Sequence, residues 1–200
     1  MIFLVTGGSA SGKSEYAEKL VTTFGGTERY YIATMKPYDE ESYRRIDRHR
    51  NMRRDKGFTT VERYVDLAGV MLPEWRLTAD AGGETCAGRQ SISVPAKGIA
   101  LLECMSNLVA NEMYLPEGAG KETVEAIGDG VRALAEQLEH LIIVTNEVFS
   151  DGIEYDEFTK EYLAVLGGIN QKLAAMADVV VEVVYSIPVI SKGAEYVQFI

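Results

Sequence analysis

Short apolar runs alternate with amphipathic stretches along most of the chain. Continuous apolar runs are typical of strands buried on both faces of a parallel sheet, because helices cover both faces of such a sheet. The runs lie at residues 2–6, 29–34, 99–103, 141–145 and 179–184. Stretches with helical periodicity separate them. This repeated alternation predicts an α/β fold, with a mostly parallel sheet and helices on both faces.

Capping signals help to place the helices. A first helix over 13–24 is followed by Gly25 and Gly26, and a second helix over 39–56 opens with Asp39 as N-cap, carries acidic residues in its first turn and is closed by Gly57. Periodicity predicts further helices at 64–75, 105–114, 121–139 and 157–176, a short strand at 59–62 and a final edge strand at 195–200.

One segment interrupts the pattern. Residues 77–97 are rich in Gly, Ser, Thr and Ala and show no clear period. Because the alternation of strand and helix resumes beyond them, we expect a long inserted loop rather than a linker between domains. The 200 residues therefore predict a single domain over 1–200.

A glycine-rich turn joins the first strand to the first helix. Residues 7–14, GGSASGKS, fit the pattern G-x-x-x-x-G-K-[ST] of a P-loop. The glycines let backbone amides approach phosphate oxygens, Lys13 can reach the β and γ phosphates, and the Ser14 hydroxyl can ligate Mg²⁺. The motif predicts binding of a nucleoside triphosphate with Mg²⁺. The predicted contacts are Gly7, Gly8, Ser9, Ala10, Ser11, Gly12, Lys13 and Ser14.

Polar residues follow two of the other apolar runs. Glu103 closes the run 99–103 and has the position and charge of a second Mg²⁺ ligand, although a carboxylate there can also cap the next helix. Asn146 and Glu147 follow the run 141–145. Ligands of open α/β sheets bind outside the carboxyl ends of the strands, so this edge is the predicted site.

The overall composition limits the classes of function. The chain is acidic, with a net charge of −10 and a pI near 4.8, which argues against general binding to nucleic acid or to anionic membranes. It has no apolar run long enough to span a membrane, and its N-terminus lacks the basic start of a signal peptide. With two cysteines, a disulfide framework is not expected, and we expect a cytoplasmic protein.

The average charge conceals a basic segment. Residues 44–56, RRIDRHRNMRRDK, carry a charge of +5, whereas the other 187 residues sum to −15. Helical spacing aligns Ile46, His49 and Arg53 on one face, with Arg50 beside them. The segment can be a solvated helix face, or it can bind the nucleotide phosphates. In the second case, the His49 imidazole can attack phosphorus while arginines stabilise the phosphoryl oxygens. Spacing alone leaves both interpretations open.

Motifs spread over nearly the whole chain together match one family. The chain resembles the bifunctional adenosylcobinamide kinase/adenosylcobinamide-phosphate guanylyltransferase family of cobalamin biosynthesis. The P-loop alone is shared by many families, but its combination with the other motifs is specific. The matching segments are VTGGSASGKSEYAE at the P-loop, YYIAT at the second strand, RIDRHR in the basic helix, ALLEC at 100–104, VTNEV at 144–148 and GGINQKLAAMADVVVEVV at 167–184.

The resemblance implies a RecA-like P-loop fold and two activities. In the first, a nucleoside triphosphate, GTP or ATP, phosphorylates the aminopropanol hydroxyl of adenosylcobinamide. In the second, GTP donates GMP to adenosylcobinamide phosphate through a covalent GMP–histidine intermediate, and adenosylcobinamide-GDP is formed. The resemblance also implies Mg²⁺ as cofactor and a homotrimer, with no nucleic-acid partner and no membrane span.

The family pattern carries over residue by residue. The histidine of R-I-x-x-H-[RK] falls on His49, which becomes the nucleophile, with Lys13 as the second catalytic residue. Ser14 and Glu103 become the metal ligands. Beyond the P-loop, the implied nucleotide contacts are Met35, Lys36, Pro37, Arg50, Asn51, Met52, Arg53, Glu62 and Glu103.

Two segments of the chain depart from the family pattern. The segment 77–97 is longer than usual, and the loop after VTNEV reads FSDGIEYDE where the family tends to have G-x-G-I-V-P. If that loop seats the corrinoid, it bears on substrate preference.

Two other functions stay open as alternatives. A simple P-loop small-molecule kinase without guanylyl transfer is the first alternative. A RecA-like nucleic-acid ATPase, using 44–56 as its contact, is the second, and the acidic remainder of the chain disfavours it.

Overall fold

The computed structural model describes residues 1–25, 28–73, 97–150 and 152–197, without the side chains of Arg45 and Met52. Its strands form one seven-stranded sheet. They are β1 (Ile2–Thr6), β2 (Arg29–Ala33), β3 (Phe58–Glu62), β4 (Ile99–Glu103), β5 (His140–Val144), β6 (Val179–Val184) and β7 (Ile187–Lys192).

The strand order is β3-β2-β4-β5-β1-β6-β7. All neighbouring strands are parallel except β6 and β7, which are antiparallel. Five α-helices are described around this sheet, and short 3₁₀ turns lie at Leu67–Gly69, Gly120–Glu122 and Ala194–Tyr196. The helices are α1 (Lys13–Phe24), α2 (Glu40–Arg53), α3 (Met105–Tyr114), α4 (Thr123–Glu136) and α5 (Glu157–Met176).

Apolar residues fill both faces of the sheet, because successive side chains of a strand point to opposite sides. On one face, α1 packs against a cluster that includes Phe3, Val5 and Leu101. On the other, α3, α4 and α5 pack against a cluster that includes Leu4 and Leu102. All five residues of β4 are buried. The predicted α/β fold, with a mostly parallel sheet covered on both faces, is therefore confirmed.

The second helix begins as predicted but ends earlier. The Asp39 carboxylate accepts a hydrogen bond of 2.7 Å from the backbone N–H of Ser42, and the Ser42 hydroxyl accepts one of 3.0 Å from the Asp39 N–H, which completes a capping box. The helix ends at Arg53, and the prediction that it reaches Lys56 is wrong. Bonds of the i to i+3 type close the turn that follows, and Gly57 then adopts a left-handed conformation (φ +70°).

The predicted helix at 64–75 is wrong for its described part. Only the 3₁₀ turn Leu67–Gly69 forms between residues 64 and 72, because distant side chains satisfy the backbone that a helix would have used. Gln137 accepts a hydrogen bond of 3.0 Å from Leu72 N and donates one of 2.8 Å to Val70 O, and Glu112 accepts one of 2.6 Å from Asp66 N.

The predicted edge strand at 195–200 is also wrong in its described part. Residues 194–196 form a 3₁₀ turn, and the edge strand next to β6 is β7, which pairs with β6 across a tight turn. Tyr185 and Ser186 form that turn with φ values of +51° and +63°. Such hairpin turns usually contain Gly, Asn or Asp, so the sequence gives no signal for this one.

Other predicted boundaries shift by a few residues, and some predictions concern residues outside the described ranges. The helix predicted at 121–139 is a 3₁₀ turn followed by α4 over Thr123–Glu136. Of the segment 77–97 only Lys97 is described, so the inserted loop and the single-domain organisation stay predictions. Within the described ranges, no helix combines the length and the apolar character needed to cross a membrane.

Two helical glycines provide a test of the packing on α4. A Cβ at Gly130 would lie 2.7 Å from Leu67 Cβ and 3.0 Å from the backbone nitrogen of Ala68, whereas a Cβ at Gly168 in α5 has nothing within 4 Å. Alanine stabilises a helix interior over glycine by about 0.5–1 kcal/mol, while overpacking costs about 1–3 kcal/mol. We expect Gly130→Ala to lower the free energy of unfolding in urea and Gly168→Ala to raise it. Stabilisation by both substitutions would contradict the close packing at Gly130.

Candidate active site

A cavity of about 800 Å³ opens at the carboxyl ends of the parallel strands. Three parts of the chain form its walls: the P-loop over residues 9–15, the inner side of α2, and the ends of β2, β3, β4 and β5. It is the cavity predicted for an open α/β sheet, because backbone amides and helix N-termini converge at that edge. The side chains from α2 that line it are Tyr43, Ile46, Arg48, His49, Arg50 and Arg53.

The P-loop is fixed by the hairpin turn between β6 and β7. Ser186 donates a backbone hydrogen bond of 2.7 Å to Ser11 O. At Gly12 (φ +92°) a Cβ would lie 2.5 Å from the Ser186 hydroxyl, so glycine is required there both by conformation and by space. Lys13 is buried and donates a hydrogen bond of 3.0 Å to Gly8 O, and burial lowers its pKa. The lysine therefore lies across the loop, where a phosphate group would be bound.

Glu103 connects the P-loop to the sheet. Its Oε1 accepts a hydrogen bond of 2.5 Å from the Ser14 hydroxyl, and its Oε2 accepts one of 3.1 Å from the Tyr31 hydroxyl. Burial, followed by the nearby Glu103 carboxylate, raises the pKa of Tyr31, so this phenol stays a donor. The two predicted metal ligands, Ser14 and Glu103, are thus in direct contact.

The donor set at this point fits Mg²⁺. It offers one carboxylate and one hydroxyl, and the described part of the chain holds no cluster of three or more His, Cys, Asp or Glu side chains arranged for a metal ion. Mg²⁺ commonly binds through one or two carboxylates together with water and substrate phosphates. The pair Ser14 and Glu103 therefore suits a cation that is bound together with a triphosphate.

His49 is half-buried and faces this cavity from α2. Burial lowers the pKa of His49, the Arg53 and Arg48 guanidinium groups act in the same direction, and Glu103 acts against them. The imidazole is consequently neutral at pH 7, which leaves a nitrogen lone pair available. A neutral imidazole among cations has the properties needed for attack on a phosphoryl group.

Arg53 is the most buried cation of α2 among the side chains described. It is 6% exposed, its guanidinium carbon lies 3.3 Å from the centroid of the Tyr31 ring, and its Nη1 has no hydrogen-bond partner. A buried donor without a partner is unusual in a folded protein, and here it lines the cavity. The position suits an anion such as a nucleotide phosphate.

The other predicted site residues differ in whether they line the cavity. Arg50 and Glu62 line the cavity and pair with each other at 2.6 Å, while Glu62 also accepts a hydrogen bond of 2.9 Å from the Tyr64 hydroxyl. Met35 and Pro37 line the cavity, but Lys36 forms an ion pair of 2.9 Å with Glu117.

Besides Lys36, four predicted contacts lie outside the cavity lining or outside the described residues. Gly7 and Gly8 belong to the loop without lining the cavity, although Gly8 O accepts the Lys13 hydrogen bond. Asn51 is exposed and does not line it, and the side chain of Met52 lies outside the described residues. The roles of all predicted site residues stay predictions.

Several residues in the cavity wall were missed by the sequence analysis. Tyr31 is the most important, because it contacts both Glu103 and Arg53. In the parallel register Tyr31 pairs with Leu101 and Ala33 with Glu103, which brings Tyr31 and Glu103 to one face of the sheet. The alternation of side chains along each strand predicts which residues of that strand share a face of the sheet. It does not give the register between two strands so far apart in sequence, and the contact of Tyr31 with Glu103 depends on that register. Tyr43, Thr60, Tyr64, Cys104 and Asn107 were missed in the same way.

Comparison with solved structures finds distant likenesses. The flagellar accessory protein FlaH from Methanocaldococcus jannaschii has a TM-score of 0.42 and 11% identity, with 96% of this chain and 77% of that chain covered. A KaiC-like protein, PH0186, from Pyrococcus horikoshii OT3 has a TM-score of 0.40 and 14% identity, with 90% and 71% covered. Likeness at this level supports no conclusion about fold or function.

Comparison of sequences is much more specific. Residues 3–81 and 75–190 match the model of a family described as cobinamide kinase / cobinamide phosphate guanyltransferase. The bifunctional adenosylcobalamin biosynthesis protein CobU of Escherichia coli (strain K12) is 30% identical over 201 residues, covering 94% of this chain and 98% of that protein. The corresponding protein CobP of Pseudomonas aeruginosa is 29% identical over 192 residues, covering 95% and 96%. The chain therefore belongs to the bifunctional cobinamide kinase/cobinamide-phosphate guanylyltransferase family of cobalamin biosynthesis.

Proposed function

We propose that the chain uses adenosylcobinamide as its substrate and carries out both family reactions in the cavity between the P-loop and α2. One observation carries the proposal: His49 lines the same cavity as Lys13 and Ser14 of the P-loop. A nucleophile beside a phosphate-binding loop is needed for nucleotidyl transfer through a covalent intermediate, and a simple kinase does not need it.

The triphosphate is bound by the P-loop and by α2. Backbone amides of the loop and the N-terminus of α1 face the phosphates, and Lys13 supplies a buried cation. The unpartnered Nη1 of Arg53 supplies a second donor from the opposite wall. When Mg²⁺ is bound, Ser14 and Glu103 hold it, and it neutralises charge on the phosphate oxygens.

Guanylyl transfer proceeds in two displacements at the α-phosphorus. A lone pair of the His49 imidazole forms a nitrogen–phosphorus bond while the bond from the α-phosphorus to the bridging oxygen breaks, and pyrophosphate leaves with the electron pair. Lys13 and Arg53 stabilise the charge of the departing pyrophosphate. A phosphate oxygen of adenosylcobinamide phosphate then attacks the same phosphorus, the bond to His49 breaks, and adenosylcobinamide-GDP is released with the histidine restored.

Phosphorylation of adenosylcobinamide needs no covalent intermediate. The aminopropanol oxygen attacks the γ-phosphorus, the bond to the β–γ bridging oxygen breaks, a nucleoside diphosphate leaves, and the hydroxyl proton passes to solvent. The contribution of the chain is to align the hydroxyl with the γ-phosphate and to stabilise its charge. ATP and GTP are both proposed as donors for this step. A homotrimeric state and a cytoplasmic location stay predictions.

Labelled GTP tests the covalent step. We expect GTP labelled at the α-phosphorus, but not at the γ-phosphorus, to leave an acid-labile and alkali-stable adduct on the denatured protein when Mg²⁺ is present. His49→Ala should abolish the adduct because the attacking nitrogen is gone. His140→Gln is the matched control. His140 is the other histidine of the chain, and it lies at the amino end of β5, whereas the cavity opens at the carboxyl ends of the strands. Absence of the α label from the wild type would overturn guanylyl transfer and favour a simple kinase.

The environment of His49 predicts the pH dependence of adduct formation. Since burial, Arg53 and Arg48 lower the pKa of His49 below its ordinary value of 6.5, the rate of adduct formation should rise with a midpoint below pH 6.5 and be flat above it. Arg48→Gln removes one of these cations, so the midpoint should move upward. Glu103 and Glu18 oppose the lowering and are left in place. At GTP concentrations well below saturation, where the rate reports the pKa of the free enzyme, a wild-type midpoint at or above 6.5 would contradict the described environment.

Inorganic pyrophosphate tests the anion site at Arg53. A ligand that binds only the folded protein stabilises it by about 2.7 kcal/mol at a hundredfold excess over its Kd, and a tenfold weaker Kd removes about 1.4 kcal/mol of this. We expect Arg53→Met, which keeps an apolar chain over Tyr31, to reduce the stabilisation by pyrophosphate in thermal unfolding. Arg132→Met, at an exposed arginine of α4 that pairs with Asp129, is the control and should respond like the wild type. An undiminished response of Arg53→Met would exclude the proposed contact.

A further inference from the structure

The second substrate is too large to share the cavity with a nucleotide. The cavity measures about 800 Å³, within the range of pockets that enclose one small-molecule ligand. A corrin macrocycle that carries an adenosyl group on its cobalt must therefore lie outside the opening, while its aminopropanol arm reaches inward. A flat and largely apolar macrocycle calls for an apolar surface next to the opening.

Two aromatic rings form an exposed surface near the cavity. Tyr114, at the end of α3, stacks on Phe158, in the first turn of α5, with ring centroids 4.4 Å apart and an angle of 22° between the planes. The two residues are 40% and 60% exposed, and Tyr38 is 66% exposed. We call Tyr114, Phe158 and Tyr38 the aromatic platform. Large apolar side chains grouped at a surface commonly mark a site of binding.

Hydrogen bonds connect the platform to the cavity on one side through α5. Tyr162, one helical turn after Phe158, donates a hydrogen bond of 3.2 Å to Ser106 O. The Ser106 hydroxyl in turn accepts one of 2.7 Å from the side-chain nitrogen of Asn146, which lines the cavity. The second turn of α5, next to Phe158, is thereby held against the start of α3.

The other side of the platform is connected through the loop before α2 and through α3. Tyr38 follows Pro37, which lines the cavity, and its hydroxyl donates a hydrogen bond of 3.4 Å to Asn111 Oδ1. Asn111 also donates one of 2.8 Å to Thr34 O at the end of β2. The middle of α3 is thereby held at the carboxyl end of β2, with Asn107 at the cavity. Tyr114 lies roughly 10 Å further along, at 1.5 Å per residue.

We infer that the aromatic platform binds the corrin ring of adenosylcobinamide and of its phosphate, an inference that rests on the proposed function. A flat macrocycle stacks on exposed aromatic rings, and its peripheral amides meet polar groups at the rim, such as the Tyr114 and Tyr38 hydroxyls. The distance along α3 leaves the aminopropanol arm directed toward the nucleotide. The segment FSDGIEYDE, which departs from the family pattern, leads directly into Phe158. The platform therefore sets the preference for the corrinoid.

The two displacements allow the platform to be tested separately from the nucleotide site. Tyr114→Ala and Phe158→Ala should leave the formation of the GMP adduct on His49 unchanged, because that step needs no corrinoid. They should raise the KM for adenosylcobinamide phosphate in the second displacement about five- to tenfold each, the effect of one stacking interaction. Tyr114→Phe keeps the ring and should restore a KM close to that of the wild type. Tyr196→Ala, at a tyrosine that is 52% exposed in the turn after β7, is the matched control.

Each outcome of this experiment decides the inference. Unchanged KM values in both alanine variants would overturn it. A fall in molecular mass in solution with unchanged corrinoid binding would also overturn it, since the platform would then be an interface between copies of the chain. If the wild type forms no adduct, the proposed function fails, but equilibrium dialysis with adenosylcobinamide still tests the platform through the weaker binding expected of the variants. Phe158→Ala alone carries the test if Tyr114→Ala does not fold.

Discussion

The carboxylate of Glu103 is the point at which three parts of the molecule meet. One oxygen holds the first turn of α1 through Ser14, and the other holds β2 through the Tyr31 hydroxyl. The guanidinium of Arg53 stacks on the ring of Tyr31, and Arg53 follows His49 by one turn of α2. A buried carboxylate is stable only when its oxygens are satisfied. The position of the histidine relative to the P-loop therefore depends on this one residue at the end of a fully buried strand.

The local parts of this arrangement are readable from the sequence, because each depends on a short pattern. Apolar runs give the strands β1, β2, β4, β5 and β6 to within a residue or two, and the capping residues Asp39 and Gly25 fix helix ends. The P-loop motif places Lys13, and helical spacing brings His49 and Arg53 to one face. Glu103 follows from the rule that ligands bind at the carboxyl ends of strands.

The remaining features depend on contacts between distant residues, and for that reason the sequence does not reveal them. Gln137 and Glu112 satisfy the backbone between Asp66 and Leu72, so a segment with helical character forms an irregular path. The register that brings Tyr31 to Glu103 joins strands separated by 65 residues or more. The hairpin of β6 and β7 turns at Tyr185 and Ser186, two residues without the usual preference for left-handed backbone.

That hairpin has a consequence for the order in which the nucleotide site is completed during synthesis. Ser186 contacts Ser11 and closes on Gly12, and β1 lies between β5 and β6 in the sheet. The P-loop over residues 7–14 leaves the ribosome long before the strands on both sides of β1, at 140–144 and 179–184, and before the turn at Ser186 that supports the loop. The nascent chain therefore cannot assemble its phosphate site until the hairpin of β6 and β7 has also been synthesised.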